Sequence, residues 1–290
     1  MSEMLPADPA QTLANEYRGM DRDALTRAYD NSGAVADSAQ WLKRWSQRSA
    51  DLRANPGHTL NMAYGDRERQ EIDYFACGKP NRPLFVFLHG GYWQRNHRDM
   101  FSFVAEGPMA QGFDVAVVGY TLAPEATLQE MVDECSAAIR FLVDGAPEPK
   151  LEFDRTRVVV GGWSAGGHLA ATLVNGDLAL RGALSISGIF DLEPIWRSAL
   201  NDKLGLSFDD VRRLSPLYRI EKSQPTICAA YGTEELPELQ RQSTDYAQAA
   251  KAVGARVSVE SLKGRDHFSI LEELCRPDGK LVSLLQILVD

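Results

Sequence analysis

The pentapeptide Gly162-Trp163-Ser164-Ala165-Gly166 sets a serine between two glycines. It stands directly after the β-branched run Arg157–Gly161 and opens the small-residue segment Gly166–Asn175. Glycines two before and two after a serine permit a tight strand–turn–helix bend that lifts the hydroxyl above the edge of a sheet. The same bend leaves backbone N–H groups at a helix N-terminus, where they can stabilise an anion. GxSxG alone is a common pattern, and an idle serine in a glycine-rich turn would carry it equally. The flanking strand and helix make Ser164 the candidate nucleophile and the Ala165 N–H a candidate oxyanion donor.

Such a serine needs further donors, a base and an acid. His89-Gly90-Gly91-Tyr92-Trp93 follows the apolar run Leu84–Leu88. A glycine pair there lets amides approach a tetrahedral oxyanion, at roughly 2.7–4 kcal/mol per donor, and the donors would be Gly91 and Tyr92. His89 reads as a residue that holds this loop. Tyr92 and Trp93 read either as packing or as pocket wall, and Trp93 and Trp163 are the candidate pocket residues. Among five histidines, His267 in Gly264-Arg265-Asp266-His267-Phe268 comes just after the last expected strand, where a triad base arrives after its acid. His168 lies on the helix after the serine as a packing or surface residue. His58 and His97 sit in polar segments. The acid is Glu235 or Glu234, after the run Thr226–Tyr231, with Asp191 as a rival whose alternative is a loop carboxylate or helix cap. Taking Glu235, the order is Ser164, Glu235, His267, with gaps of 71 and 32 residues. That is the order of α/β-hydrolases and of neither chymotrypsin-like nor subtilisin-like proteases.

The elements that must position these residues alternate from Glu71 onward. Strands are expected at Glu71–Ala76, Leu84–Leu88, Val115–Gly119, Arg157–Gly161, Gly182–Ser187, Thr226–Tyr231 and Arg256–Leu262. Helices are expected at Asp99–Gln111, Leu128–Asp144, Gly166–Asn175, Pro237–Val253 and Lys280–Val289. Thr127 and Glu130 form a capping box ahead of the second. Ala146–Pro149 reads as a loop. This rhythm implies a mostly parallel sheet with helices on both faces. Residues 1–70 read as an N-terminal helical extension, with helices at Asp21–Tyr29 and Ala39–Arg53. About 190–218 breaks the rhythm and suits a cap inserted over the sheet's carboxyl edge, where α/β proteins bind ligands. The whole of 1–290 is read as one domain.

At 290 residues the chain can bury a sizeable core. Its 44% apolar and 24% charged residues exclude wholesale disorder, collagen and coiled coil. Thirty-one basic against 40 acidic residues give a net charge of −9, which argues against nucleic acid and anionic membrane as partners. No apolar run approaches the ~20 residues of a membrane span, and no signal peptide is read at MSEMLPADPAQ. Cys77, Cys135, Cys228 and Cys275 form no CxxC pair, which fits a reducing, cytoplasmic setting and implies no metal.

At these residues the chain resembles the arylformamidase (kynurenine formamidase) family of α/β-hydrolases, relatives of the hormone-sensitive-lipase-like esterases. HGGYWQ at His89–Gln94 resembles the family's HGGxW, and Tyr120-Thr121-Leu122-Ala123-Pro124 its Y-x-L-x-P segment. GWSAGGHLA resembles the nucleophile elbow. Ser187–Leu192 with Pro194 is similar to SGxxDLxP, and Asp266-His267-Phe268 to DHF. The match runs over most of the chain from about Tyr64. The segment from Glu235 to Ser243 resembles the one that carries the family's acid. Vertebrate members have aspartate where Glu235 stands, and glutamate also serves as a triad acid. The shared Asp191 segment lies outside the triad, which favours a structural Asp191. The resemblance implies hydrolysis of N-formyl-L-kynurenine to L-kynurenine and formate, a step of tryptophan catabolism, with Ser164, Glu235 and His267 as triad. No cofactor and no metal are implied, the partner is a small-molecule substrate, and a homodimer stays open. A carboxylesterase for small acyl esters is the alternative. A non-catalytic binding protein of this fold would need a broken triad or a blocked oxyanion loop, and neither is visible.

Overall fold

The computed structural model describes residues 16–145 and 151–290, so the loop read at Ala146–Pro149 lies outside the described residues. Eight strands make one sheet in the order β1-β2-β4-β3-β5-β6-β7-β8. They are β1 Thr59–Ala63, β2 Glu71–Phe75, β3 Leu84–Leu88, β4 Asp114–Val118, β5 Val158–Trp163, β6 Gly182–Ile186, β7 Thr226–Gly232 and β8 Val257–Leu262. β2 pairs antiparallel with β1 and β4, and from β4 to β8 every pairing is parallel. The longer helices are α1 Arg22–Ala28, α2 Ser38–Arg53, α3 Leu128–Asp144, α4 Ala165–Leu173, α5 Pro237–Val253 and α6 Lys280–Val289.

β3 and β4 are wholly buried and apolar but for Asp114, which opens β4 and pairs with Arg82, as a parallel sheet covered on both faces requires. Side chains alternate between two cores. Leu84, Val86 and Leu88 join residues of α3, α4 and α5 on one face. Phe85 and Phe87 join Trp45 of α2 and Leu281, Val282 and Leu285 of α6 on the other. The capping box starts α3 as expected: Glu130 N–H donates to Thr127 Oγ1 at 3.2 Å, and Thr127 N–H donates back to Glu130 Oε2 at 2.8 Å. The stretch after β6 is three short helices, Glu193–Arg197, Asn201–Leu204 and Phe208–Leu214. It leans on α1 through Arg22–Asp202 at 2.6 Å and an Ala199 N–H to Thr26 Oγ1 bond of 3.0 Å.

Two elements differ from the sequence reading. Asp99–Gln111 is two 3-10 turns, Arg98–Met100 and Ser102–Ala105, followed by a short helix Glu106–Ala110. Pro108 has no N–H to give and fits only the first turn of a helix, so a continuous helix cannot pass through it. Thr59–Ala63, inside the segment read as helical, is the edge strand β1. Its register shifts between Thr59 and Met62, and Asn61 takes a φ of +58°. The Asn61 N–H leaves the ladder for Asp73 Oδ1 at 2.9 Å, and the fully buried Asp73 is paired with Arg53 and Arg98. A bulge of this kind breaks the two-residue alternation by which a strand is recognised.

Trp45 of α2 lies between the elements that carry Ser164 and His267. Its ring meets Trp163 edge-on at 5.4 Å, stacks on Phe268 at 5.7 Å and on Phe103 at 5.3 Å. It therefore braces the residue before Ser164 and the residue after His267. Trp45→Ala should cost about 3–5 kcal/mol of stability, seen as a fall in the urea midpoint at constant m-value. A loss below about 1 kcal/mol would mean that this aromatic cluster is not packed as described.

Candidate functional site

Ser164 follows the last residue of β5 and precedes the first of α4, with φ +57° and ψ −116°. Its N–H donates to the Ile186 carbonyl at 2.8 Å, which ties the bend to the next strand. The bend is possible because Gly166 lies against bare backbone: a Cβ there would stand 2.0 Å from the Leu88 carbonyl oxygen. The loop after β3 comes equally close. A Cβ on Gly90 would meet Trp163 at 2.5 Å and the Ser164 Cβ at 3.1 Å.

Gly91, Tyr92 and Trp93 all have positive φ, at 125°, 51° and 58°. Such angles strain two bulky residues and persist only where their surroundings hold them. Asn96 Nδ2 donates to the Gly90 carbonyl at 3.0 Å. The Tyr92 hydroxyl donates to the Tyr29 carbonyl and accepts from Asn31 Nδ2 at 2.7 Å. Among the described residues, the amide N–H groups of Gly91, Tyr92 and Ala165 have no acceptor. Tyr29 is anchored in turn by Gln242 of α5, whose Nε2 donates to the Tyr29 hydroxyl at 2.8 Å.

His267 and Glu235 meet at 3.0 Å through Nδ1 and Oε2. The other carboxylate oxygen accepts from Ser187 Oγ and from the Gly232 N–H, each at 2.7 Å. A carboxylate only accepts, so the proton of the neutral imidazole is on Nδ1 and the lone pair on Nε2. Trp163 Nε1 donates to the His267 carbonyl at 2.8 Å. Asp266 folds the turn, accepting from the Phe268 and Ser269 N–H groups at 2.8 Å each. Ser164 and His267 open on one cavity of about 90 Å³, with Gly91, Tyr92, Trp163 and Phe268 in its wall. A serine beside a lone-pair nitrogen and unpaired amides is the equipment of acyl transfer.

The rival residues lie elsewhere. Glu234 is exposed. Asp191 accepts from the Tyr17 and Tyr218 hydroxyls at 2.7 and 3.2 Å and from the Glu193 N–H at 2.9 Å, which makes it a loop and helix-start carboxylate. Trp93 does not line the cavity. It is fully buried with its ring edge-on to His168 at 5.1 Å, because its φ turns it away from the serine. None of residues 190–218 lines the cavity either. Its far wall is Asn31, Ser32 and Leu42, from the N-terminal helices. Sequence reading missed these three and Ser187. Only Ser187 lay in a quoted motif; the N-terminal residues carry no spacing that signals a site.

His89 is stacked on Tyr120 at 4.5 Å and on Phe101 at 5.7 Å, and its Nδ1 donates to the Gly90 carbonyl at 2.9 Å. Burial holds its pKa down, to about 3. His168 donates from Nε2 to the Leu214 carbonyl at 2.8 Å, and burial lowers its pKa to about 4. Both stay neutral and structural. Among the described residues no group of three or more His, Cys, Asp or Glu could hold a metal, and no helix is long and apolar enough to cross a membrane.

A family model described as BD-FAE matches residues 72–180. The kynurenine formamidase of Danio rerio is 28% identical, covering 93% of this chain and 97% of that protein. The kynurenine formamidase of Drosophila melanogaster is 28% identical over 83% of this chain and 85% of its own. A solved structure from Silicibacter sp. TM1040 superposes with a TM-score of 0.80 at 27% identity, covering 90% of this chain and 98% of that one. A thermophilic carboxylesterase from a metagenomic library shares the fold, with a TM-score of 0.68 at 17% identity over 87% and 97% of the two chains. The chain is a hydrolase of the α/β-hydrolase fold, related over nearly its whole length to the kynurenine formamidases.

Two outcomes follow from this geometry. In Glu235→Gln, the donors from Ser187 and Gly232 fix the amide oxygen, so the NH2 faces His267 Nδ1 and forces the proton onto Nε2. Steady-state kinetics should show kcat lower by about 10,000-fold with thermal unfolding little changed; a loss under tenfold would remove Glu235 from the reaction. The two depressed histidines give a pH effect of definite sign. The unfolded chain takes up their protons near pH 6.5 and the folded chain only near 4 and 3. Their contribution is complete above about pH 6.5 and is lost as pH falls toward 3. Urea midpoints should fall steadily from pH 7 to 4.5, and His168→Gln should flatten that slope by one proton.

Proposed function

We propose that this chain is a serine hydrolase of aryl formamides, converting N-formyl-L-kynurenine and water to L-kynurenine and formate. The observation that carries the reading is the small cavity where Ser164 and His267 face unpaired amides, in a chain alike over 93% of its length to a kynurenine formamidase. Ser164 Oγ attacks the formyl carbon while His267 Nε2 takes its proton. The oxyanion accepts from the Gly91, Tyr92 and Ala165 N–H groups. As the C–N bond breaks, the proton on His267 passes to the aryl nitrogen, because an anilide anion is a poor leaving group. Glu235 holds the imidazolium through this step. Water, deprotonated by His267, then attacks the formyl-serine; its C–O bond breaks, formate leaves and Ser164 regains its proton. The chemistry draws on no metal or cofactor. The reading places the protein in the cytoplasm, in tryptophan catabolism.

A formyl group is the smallest acyl group, and a cavity of about 90 Å³ walled by Leu42, Tyr92 and Phe268 suits it. One methylene too many is rejected about 10–200-fold by such a pocket. N-formyl-kynurenine should therefore be turned over well, acetate esters detectably, and butyrate or longer esters poorly. Ser164→Ala should abolish all of these, and an organophosphate should label Ser164 alone in the mass spectrum. If medium-chain esters exceed the formamide tenfold in kcat/KM, the carboxylesterase reading replaces this one.

A further inference from the structure

Among the residues lining the cavity, Arg95 is the one Lys, Arg, Asp or Glu. Arg95 lies four residues after Gly91, in the same loop, and is an exposed residue of the cavity wall. It has no carboxylate partner among the described residues, although acidic residues outnumber basic ones in the chain. Most other arginines near this region are engaged. Arg48 pairs with Glu106, Arg53 and Arg98 with Asp73, and Arg69 with the Tyr120 and Asn96 carbonyls. Arg95 is thus a cation of the cavity wall that no protein carboxylate takes up, and it is available to an anion from outside.

A second group at the same wall lacks a partner. Asn31 is almost fully buried and its Oδ1 accepts nothing. The orientation of this amide is fixed by its neighbours. The Tyr92 hydroxyl gives its proton to the Tyr29 carbonyl, so its oxygen can only accept from Asn31, which places Nδ2 there and leaves Oδ1 open. An unmatched buried acceptor is destabilising, a cost that a donor on a bound molecule would remove. Arg95 and Asn31 thus both adjoin Tyr92, the one offering a cation and the other an acceptor. An α-amino-acid head group, with carboxylate and ammonium on one carbon, supplies both complements.

We propose that Arg95 and Asn31 read the amino-acid head of the leaving group, Arg95 pairing with its carboxylate and Asn31 Oδ1 accepting from its ammonium. This rests on the formamidase reading and assigns to two residues of this chain the recognition of its substrate's amino-acid head. Arg95 is then a specificity residue acting on binding, so its effect falls on KM more than on kcat.

The test compares N-formyl-kynurenine with its α-carboxamide, which differs only in the lost negative charge. The wild-type enzyme should prefer the acid by about 10–100-fold in kcat/KM, the range of a charge-assisted hydrogen bond. Most of this should lie in KM, and added salt should shrink it. In Arg95→Gln the preference should collapse toward 1, and Arg95→Lys should keep part of it. No preference in the wild type, or an undiminished one in Arg95→Gln, overturns the proposal while leaving the formamidase reading intact. Failure of the wild type to hydrolyse either formamide, with esters still turned over, overturns the formamidase reading and this inference with it.

Discussion

Backbone lies directly on backbone where α4 begins. Gly166 meets the carbonyls of Leu88 and His89 with no room for a Cβ, and Gly90 meets Trp163 and Ser164 in the same way. This contact brings the end of β3 and the end of β5 to the closest approach two chains can make. Everything else at the site is measured from it. The serine takes a positive φ because the chain must turn within one residue to start the helix above the sheet. The amides of the loop after β3 then stand beside those of the helix start. A methyl group on either glycine would push the two strand ends apart and separate Ser164 from the unpaired amides.

The polar parts of the site are satisfied in layers. Ser187 and Gly232 fill one oxygen of Glu235, and the other is left for His267. Asp266 and Trp163 fix the turn that delivers the imidazole. Each of these bonds removes a freedom that would otherwise be lost during the reaction, which is how preorganisation lowers a barrier. The two other buried histidines show the contrast: each donates to a single carbonyl, has no carboxylate, and stays neutral in the core.

Much of this was legible in the sequence because it depends on short-range rules. The β-branched runs, the capping box at Thr127 and the glycine spacing around Ser164 each state a local geometry. The parallel sheet and the bend at Ser164 follow from those geometries, whereas the residues alone leave Glu235 beside Glu234 and Asp191, and the family resemblance favours it. What escaped depends on long-range contact. β1 hides behind a bulge whose cause, the buried Asp73, lies on another strand. Trp93 was expected at the pocket beside Tyr92, yet successive positive φ values send the two side chains to different places. Asn31, Ser32 and Leu42 form the pocket wall through the packing of helices that carry no motif.

That wall has a consequence for how the molecule is made. Trp45 must wait for Phe268, 223 residues later, and Tyr29 must wait for Glu238 and Gln242. A ribosome adding 5–20 residues per second leaves the earliest helices without the last of their partners for about 10–45 s. During that interval a tryptophan and a tyrosine destined for full burial are open to solvent and to chaperones. The sheet can assemble strand by strand as it emerges, but the cavity at Ser164 closes only when His267 and Phe268 have been delivered. A nascent chain stalled before β8 would hold Ser164 on its elbow with neither His267 nor a finished wall.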